Sequence, residues 1–526
     1  MDEIGARFEA ECADMNEMGA GILRHGGMVV FVPGLVTGER AEIGIRRVEK
    51  NYAVGECLRL ISRSPNRIES LCPSESECGG CCLGHVTYEA ENEIKRNTVR
   101  AAFRRQGLRA PDGEGIPVEP TLSGPDRYGY RNKISLRYDP AARRFGYSRP
   151  ESNEILPFRG CPLCPPRFSE IVCFLNENPT LTAPLTPESL RIRSASDGLS
   201  ASFSLESGSE DERKAFADTI RAEFPDLRVL FGGEEAGGGH AAITDRAAGL
   251  ELRFSAEAFR QVNTPVFDLL LGIVKEMAGE VRFSRAADLY CGSGTVGLAL
   301  ASAFPSARFT GIEINPDAVS DAKKNAAWAG LGNIRFFAGD ASTFRRRIRP
   351  DESPELVTVD PPRAGLSASV RRDLCALSPE RIVYISCNPQ TLARDAADFA
   401  KNGYAVRRIV PVNMFPATRH VETVCLLSKL ESQPHIEVKL NMSELDLTKA
   451  EKKATYQEIK DYVMEHTGLK VSSLYIAQVK EKCGIIEREN YNKPKSPDAK
   501  QAKCPPEKEK AIRDALKHFG MIEGEK

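Results

Sequence analysis

The sequence predicts a doubly wound α/β domain over residues 256–432, preceded by a small β-barrel and a mixed α+β region and followed by a helical extension. Three observations carry that expectation. From about residue 256, short apolar runs alternate regularly with helical patterns, as the strands and crossover helices of a mostly parallel sheet do. The polar residues of chemical interest in this stretch follow the ends of predicted strands, the edge where open α/β sheets hold ligands. Upstream, residues 3–62 read as evenly spaced short strands punctuated by glycine, the pattern of a small barrel.

Within the α/β region the first strand, 286–290, runs into Cys291-Gly292-Ser293-Gly294 and a helix. The second ends near Glu313 ahead of a helix over 316–328, the third at Asp340, and the fourth at Asp360 before two prolines. The fifth, 382–385, stops at Ser386-Cys387-Asn388-Pro389, where proline opens the next helix. Strands over 404–412 and 420–427 complete the set, the last beginning His420-Val421-Glu422. Glycines at 292 and 294 let a ligand approach the backbone, and a carboxylate about 20 residues on can grip a ribose. Read literally, Gly292-Ser-Gly294-Thr-Val-Gly297 is a dinucleotide fingerprint, so NAD is one candidate occupant. S-adenosylmethionine, which uses the same crevice without a pyrophosphate, is the other.

Cys387 lies where a strand stops and a helix starts. The positive end of a helix favours a thiolate, so Cys387 is either a nucleophile or a structural cysteine at a strand end. If the last strand runs antiparallel, Glu422 at its start reaches the same sheet edge and can act as a general base.

A chain of 526 residues is too long for one core, and segments 1–62, 63–255, 256–432 and 433–526 are expected. Lys and Arg total 72 against 73 Asp and Glu, so any nucleic-acid contact must come from local patches. No run approaches 18 apolar residues, which argues against a membrane helix. The first residues lack the basic leader and apolar stretch of a signal peptide, and a cytoplasmic location is expected.

Four of the fifteen cysteines crowd into residues 72–82, a density that points to metal or redox chemistry rather than a disulfide framework. Cys72, Cys78 and Cys81, spaced C-x5-C-x2-C on a glycine-hinged loop, can converge on one centre, with Cys161 or Cys164 as a fourth ligand. All-thiolate ligation fits an iron–sulfur cluster or tetrahedral zinc, and a redox dithiol is a third option.

Several stretches mix rings that stack on unpaired bases with cations that hold phosphate. They are Arg46, Arg47, Lys50 and Tyr52 in the barrel, a basic amphipathic helix over 90–106, and the interleaved Tyr128, Tyr130, Arg131, Lys133, Arg137 and Tyr138. An ordinary solvated face explains each nearly as well. Beyond 436 lysine replaces arginine. Helices are expected over 446–464, capped by Asp446 or Thr448, and over 471–483, ended by Gly484. Lys470, Lys480 and Lys482 would face phosphate there, or the tail is a docking module.

Together these residues resemble the RNA uracil-C5 methyltransferase family over roughly residues 3–430. The resemblance lies in Glu77-Cys-Gly-Gly-Cys81, Tyr130-Arg-Asn-Lys133, Phe259-Arg-Gln261-Val-Asn263, Asp288-Leu-Tyr-Cys-Gly-Ser-Gly294, Asp360-Pro-Pro-Arg-Ala-Gly365, Ser386-Cys-Asn-Pro389 and His420-Val-Glu422-Thr-Val424. It implies a Rossmann-like methyltransferase domain using S-adenosylmethionine, with Gln261, Tyr290, Gly292, Gly294, Glu313, Asp340 and Asp360 around the donor. It also implies a TRAM-like RNA-binding barrel and a [4Fe-4S] cluster on Cys72, Cys78, Cys81 and Cys161. Cys387 would attack uracil C6 and Glu422 would remove the C5 proton, giving 5-methyluridine. The implied substrate is RNA, 23S ribosomal RNA first and the transfer-RNA T loop second, and a monomer is expected. An NAD-dependent oxidoreductase with an iron–sulfur centre and a non-catalytic RNA-binding assembly factor are the competing readings. Related adenine-directed enzymes carry Asn/Asp-Pro-Pro-Tyr at the fourth strand, whereas Arg363 follows Asp360-Pro-Pro here.

Overall fold

The computed structural model describes residues 4–109, 115–150, 152–236, 241–347, 352–430, 456–483, 485, 504–519 and 521–522. The chain forms two compact units, Met1–Glu431 and Ser432–Lys526.

At the start of the first unit, β1 (Arg7–Glu11), β2 (Asp14–Met15), β3 (Ala20–His25), β4 (Met28–Pro33), β5 (Arg40–Val48) and β6 (Tyr52–Ser62) form one sheet, ordered β1-β5-β6-β4-β3-β2. Its two edge strands are separated in the chain only by Cys12 and Ala13, so the sheet curls until its edges meet on one continuous segment. Strand alternation turns Leu23, Val30, Val32, Ala41, Ile43 and Ala53 inward, where all are fully buried. The basic face expected here is partly neutralised, because Arg46 pairs with Glu56 and Arg47 with Glu49.

After the single turn α1 (Glu75–Cys78) comes α2 (Tyr88–Arg105), whose N-cap Thr87 accepts from Ala90 N. The middle of the unit is a second sheet of β7 (Lys133–Asp139), β8 (Arg144–Ser148), β9 (Ile155–Pro157), β10 (Pro187–Ala195), β11 (Gly198–Leu205), β12 (Leu227–Phe231) and β13 (Glu234–Glu235). Its order is β13-β12-β11-β10-β7-β8-β9. α3 (Pro166–Glu177) and α5 (Glu210–Glu223) pack on one face, joining Phe168, Ile171, Phe216 and Ile220 to Leu136, Leu190, Ile192 and Phe203. The single turn α4 (Pro179–Thr182) precedes β10. Tyr130, read from the sequence as a base-stacking ring, is instead buried, its hydroxyl donating to the Pro416 carbonyl at 3.1 Å.

The hairpin β14 (Ala242–Ala247) and β15 (Leu250–Ser255) leads to α6 (Thr264–Gly279) and then to the expected alternation. It runs β16 (Arg285–Leu289), α7 (Thr295–Ala303), β17 (Arg308–Glu313), α8 (Pro316–Trp328), β18 (Ile334–Ala338), α9 (Phe344–Arg347), β19 (Leu356–Val359), α10 (Ala368–Leu377), β20 (Arg381–Ser386), α11 (Pro389–Lys401), β21 (Tyr404–Val412) and β22 (Glu422–Lys429). The sheet order is β18-β17-β16-β19-β20-β22-β21, with β22 antiparallel to both its neighbours. Apolar clusters cover both faces, which is why the strands read as near-continuous apolar runs.

The second unit packs α12 (Tyr456–Thr467), α13 (Ser473–Lys482) and α14 (Pro506–His518) around Ile459, Val463, Ile476, Val479, Ile512 and Leu516. Residues 446–455, with the expected caps Asp446 and Thr448, lie outside the described residues. α14 was not expected from the sequence. One lysine expected to face phosphate does not: Lys480 is 3% exposed with its ammonium over the Tyr456 ring, whereas Lys482 is exposed and pairs with Glu509 at 2.6 Å. Among the described residues no helix is long and apolar enough to cross a membrane.

Candidate active site

A cavity of about 760 Å³ opens beside the ends of β16, β17 and β19. Gln261, Tyr290, Gly292, Glu313 and Asp360 line it, while Gly294 and Asp340 lie outside its lining. Gly292, at φ +52°, faces open space and leaves room at the wall. Gly294 is glycine for another reason. At φ +84°, a Cβ there would meet Phe336 Cζ at 2.7 Å and Ala322 Cβ at 2.9 Å, so packing under the sheet excludes a side chain. Asp340 is exposed and caps a short 3-10 turn, accepting from Ser342 N at 2.7 Å. That contact holds its carboxyl below the usual range.

The cavity wall is tied by its carboxylates. Glu313 accepts from Gly292 N at 3.0 Å and Asn315 N at 2.9 Å, fixing the glycine turn to the end of β17. Asp288, quoted from the sequence only as part of a motif, is 2% exposed and accepts from Gly297 N at 2.9 Å and the Thr358 hydroxyl at 2.7 Å. Burial pushes Asp288 and Asp360 each up to about 7, and Asp288 adds to the shift of Asp360. Tyr290 ends its strand in the left-handed region at φ +62°. Asn132 donates to the Gln261 carbonyl at 3.0 Å and the Thr264 hydroxyl at 3.1 Å, holding the segment that brings Gln261 to the cavity.

Cys387 and Glu422 lie at the next position along the same edge. Asn388 caps α11 by accepting from Gln390 N at 3.1 Å, which leaves Cys387 in the turn between β20 and the helix. The antiparallel ladder ends with Ser386 paired to Thr423, so Cys387 and Glu422, the next residue on each side, lie at the same end of the strand pair. Glu422 is 5% exposed and pushed up to about 8, first by burial and then by Asp360, with Arg363 opposing. Cys387 is half-buried, and burial, Glu422 and Asp360 raise its thiol above the ordinary value while Arg363 opposes them. This reverses the expectation of an easily ionised thiol. The helix end is present, but burial outweighs it and two acidic groups share the space.

Two tethers fix this pair, and neither was foreseen. The Arg363 carbonyl accepts from Asn388 Nδ2 at 3.0 Å and the Thr391 hydroxyl at 3.2 Å, joining the loop after β19 to the turn carrying Cys387. Ahead of β22, the buried Lys95 ammonium donates to Glu91 at 2.8 Å, Asn413 at 2.5 Å and the Phe415 carbonyl at 2.9 Å. Glu91 in turn accepts from Ala417 N at 2.9 Å. In sequence Glu91 and Lys95 look like a surface i,i+4 pair.

The cysteine-rich loop is partly assembled. Burial raises the thiols of Cys72, Cys78 and Cys81, and Cys161 adds to the shift of all three. Cys161 itself is held down at about 6, chiefly by its contact with Cys164, which is buried. Among the described residues no three His, Cys, Asp or Glu side chains are gathered closely enough to hold a metal ion, so the expected metal centre is not preformed.

Residues 240–430 match the family described as tRNA (uracil-5-)-methyltransferase. A Caldanaerobacter subterraneus protein described as an RNA methyltransferase is 32% identical over 456 residues, covering 79% of this chain and 97% of its own. A Clostridium acetobutylicum protein of the same description is 30% identical over 454 residues, covering 81% and 97%. Among solved structures, Pyrococcus abyssi tRNA (uracil-54, C5)-methyltransferase in complex with S-adenosyl-L-homocysteine aligns with a TM-score of 0.61 at 24% identity, over 80% of this chain and 100% of that one. That likeness is one of fold.

Proposed function

The chain belongs to the RNA uracil-C5 methyltransferase family, and from that premise we propose that it makes 5-methyluridine in RNA through a covalent adduct on Cys387, with S-adenosylmethionine as donor. One observation carries the reading: a sulfur and a buried carboxyl just beyond the last pair of one antiparallel ladder, at the sheet edge that holds the cavity.

Uracil C5 is a poor nucleophile. A bond from Cys387 Sγ to C6 drives the C5–C6 electron pair toward O4 and leaves an enolate-like C5. The donor, when bound, supplies an electrophilic methyl group, and Gln261, Tyr290, Gly292, Glu313 and Asp360 would hold it at the cavity wall. Once C5 is methylated, Glu422 takes the C5 proton, the C5–C6 double bond re-forms, and Cys387 leaves as thiolate. A carboxyl near 8 is a base matched to neutral or slightly alkaline conditions. The target base must leave its stack to reach this edge.

The complex of the Pyrococcus abyssi protein with S-adenosyl-L-homocysteine supports the donor. The dinucleotide alternative lacks such support, because Gly294, which a pyrophosphate would approach, is packed under Phe336 and Ala322. Large-subunit ribosomal RNA is our first target, on the resemblance in domain content. The names of the matched family and of the Pyrococcus abyssi enzyme support transfer RNA as the second.

The [4Fe-4S] cluster is a separate proposal. Cys72, Cys78, Cys81 and Cys161 would hold it, a soft donor set in mutual electrostatic reach. It would tie the 72–82 loop to the segment at 161. Iron and acid-labile sulfide in anaerobically purified protein test this, and the absence of both would reject it.

The function is tested by mapping 5-methyluridine in ribosomal and transfer RNA from cells with and without the gene, beside labelled-methyl transfer in vitro. Loss of one 5-methyluridine on deletion is expected. Unchanged RNA in both pools, with no transfer in vitro, would overturn the reading.

A further inference from the structure

We propose that the open face of the central sheet is a docking platform for the sugar–phosphate backbone of single-stranded RNA flanking the target uridine. This rests on the function proposed above and adds a second site to it.

The ladders of β7, β10 and β11 set three rows across the sheet: Arg137–Ser189–Ser204, Ser135–Arg191–Ser202 and Lys133–Arg193–Ser200. These nine positions hold four cations and five serines, with no carboxylate and no aromatic ring. The intervening residues Ile134, Leu136, Leu190, Ile192, Ala201 and Phe203 turn to the other face, under α3 and α5. A merely solvated face would not require one sign of charge with hydroxyls between, but a polyanion does. Cations with hydroxyls between them grip phosphate and sugar and tolerate sequence.

A cleft of about 470 Å³ lies along the first two rows, lined by Ser135, Ser189, Arg191, Ser202 and Ser204 together with Phe203, Phe231 and Glu257. The third row is tucked beneath the following segment, where Arg193 donates to the carbonyls of Ala256 at 3.0 Å and Ala258 at 3.1 Å. Two carboxylates touch the platform. Glu188 accepts from the Ser204 hydroxyl at 2.7 Å, and Glu257 pairs with Arg191 and accepts from Ser202 at 3.4 Å. They do not balance the cations: after burial, Arg193, Arg191 and Arg131 each push the Lys133 ammonium below its ordinary value. Glu257 also lines the cavity at the carboxyl edge, so cleft and cavity share a wall. RNA presented to that edge, beside a donor held in the cavity, has this face next to it, which favours RNA over an acidic protein as occupant.

Ser135 and Ser204 are exposed and outside the cavity lining, so the double variant Ser135→Glu/Ser204→Glu is the test. Affinity for a fluorescein-labelled single-stranded RNA oligonucleotide is read by anisotropy across a salt series, beside kcat and KM for methyl transfer. Binding and the KM for RNA should weaken about tenfold or more, with kcat at saturating RNA and the KM for the donor unchanged. The slope of log affinity against log salt should become shallower by about 0.7 for each phosphate the variant no longer holds. Arg137→Ala, which removes one exposed cation, should release about one phosphate, and Ser135→Ala/Ser204→Ala should stay within about twofold of the parent. Unchanged RNA affinity and salt slope in both charge variants would overturn the proposal and leave the face to an acidic protein. Binding is read without catalysis: a parent protein that methylates no RNA defeats the proposed function, while the anisotropy arm still decides the platform.

Discussion

The sheets β16–β22 and β7–β13 both have seven strands, yet apolar clusters cover both faces of the first, whereas the second has helices on one face and only a partial cover, around Leu230, Ala241, Ile243 and Ala256, on the other. In the first, helices on both sides commit every interior side chain to packing, as in Leu356–Val359, where all four residues are buried. Chemistry is left to the strand ends, where Tyr290, Glu313, Asp360 and Cys387 fall. In the second, alternate residues of β7, β10 and β11 stay polar on the uncovered side. One sheet therefore acts at an edge and the other offers a surface, because coverage decides which atoms remain available.

The sharpest way to break this contrast is at the edge. Cys387→Ala should lower methyl transfer by at least about 10³-fold, with the melting temperature and donor binding retained. Residual activity near the parent level would remove Cys387 from the chemistry. Glu422→Gln should slow turnover by about 10²–10⁴-fold and accumulate a protein–RNA adduct that survives a denaturing gel. If RNA binds normally and no adduct forms, the base has been misassigned.

Acidity should act oppositely on rate and on stability. On the proposed mechanism Cys387 and Glu422 must both lose protons to act and both are raised, so the rate should climb toward pH 8, by up to about a hundredfold per unit while both are protonated. A flat profile would contradict that. Asp288 and Asp360, held up at about 7, and Glu422, at about 8, are favoured neutral in the fold, whereas the unfolded chain ionises them near 4. The stability they contribute is full below that point and is lost as pH rises through about 8. The melting temperature should therefore be higher at pH 5 than at pH 8, and the reverse order would show other groups dominating.

The smallest effects separate the two glycines. Gly294→Ala should destabilise by about 1–3 kcal/mol in denaturant titration, from backbone strain and the clash with Phe336 and Ala322. Gly292→Ala meets open space and should cost about 1 kcal/mol, but should weaken the donor more than Gly294→Ala does.

What could be read in advance follows the same division. Strand ends are contiguous in sequence, so Ser386-Cys387-Asn388-Pro389 and the glycine turn at 292 were legible, whereas the reversal of β22 that brings Glu422 to the edge stood only as a condition until the ladders showed it. Asp340 and Gly294 share that legible pattern, yet local demands use them, a turn cap in one case and close packing in the other. The rows of the central sheet were not legible, because they join residues from 133 to 204 through a register that only the folded ladders define. Lys480 misled for a related reason: no local signal distinguishes a solvent-facing lysine from one laid across a tyrosine in a helical core.

β22 enters its sheet between β20 and β21, although it is made after both. During synthesis, then, β20 and β21 emerge without the strand that must separate them, and Cys387 has no Glu422 beside it until residue 422 clears the ribosome. On the proposed mechanism, a growing chain cannot modify RNA at its own birthplace before that last strand slots home.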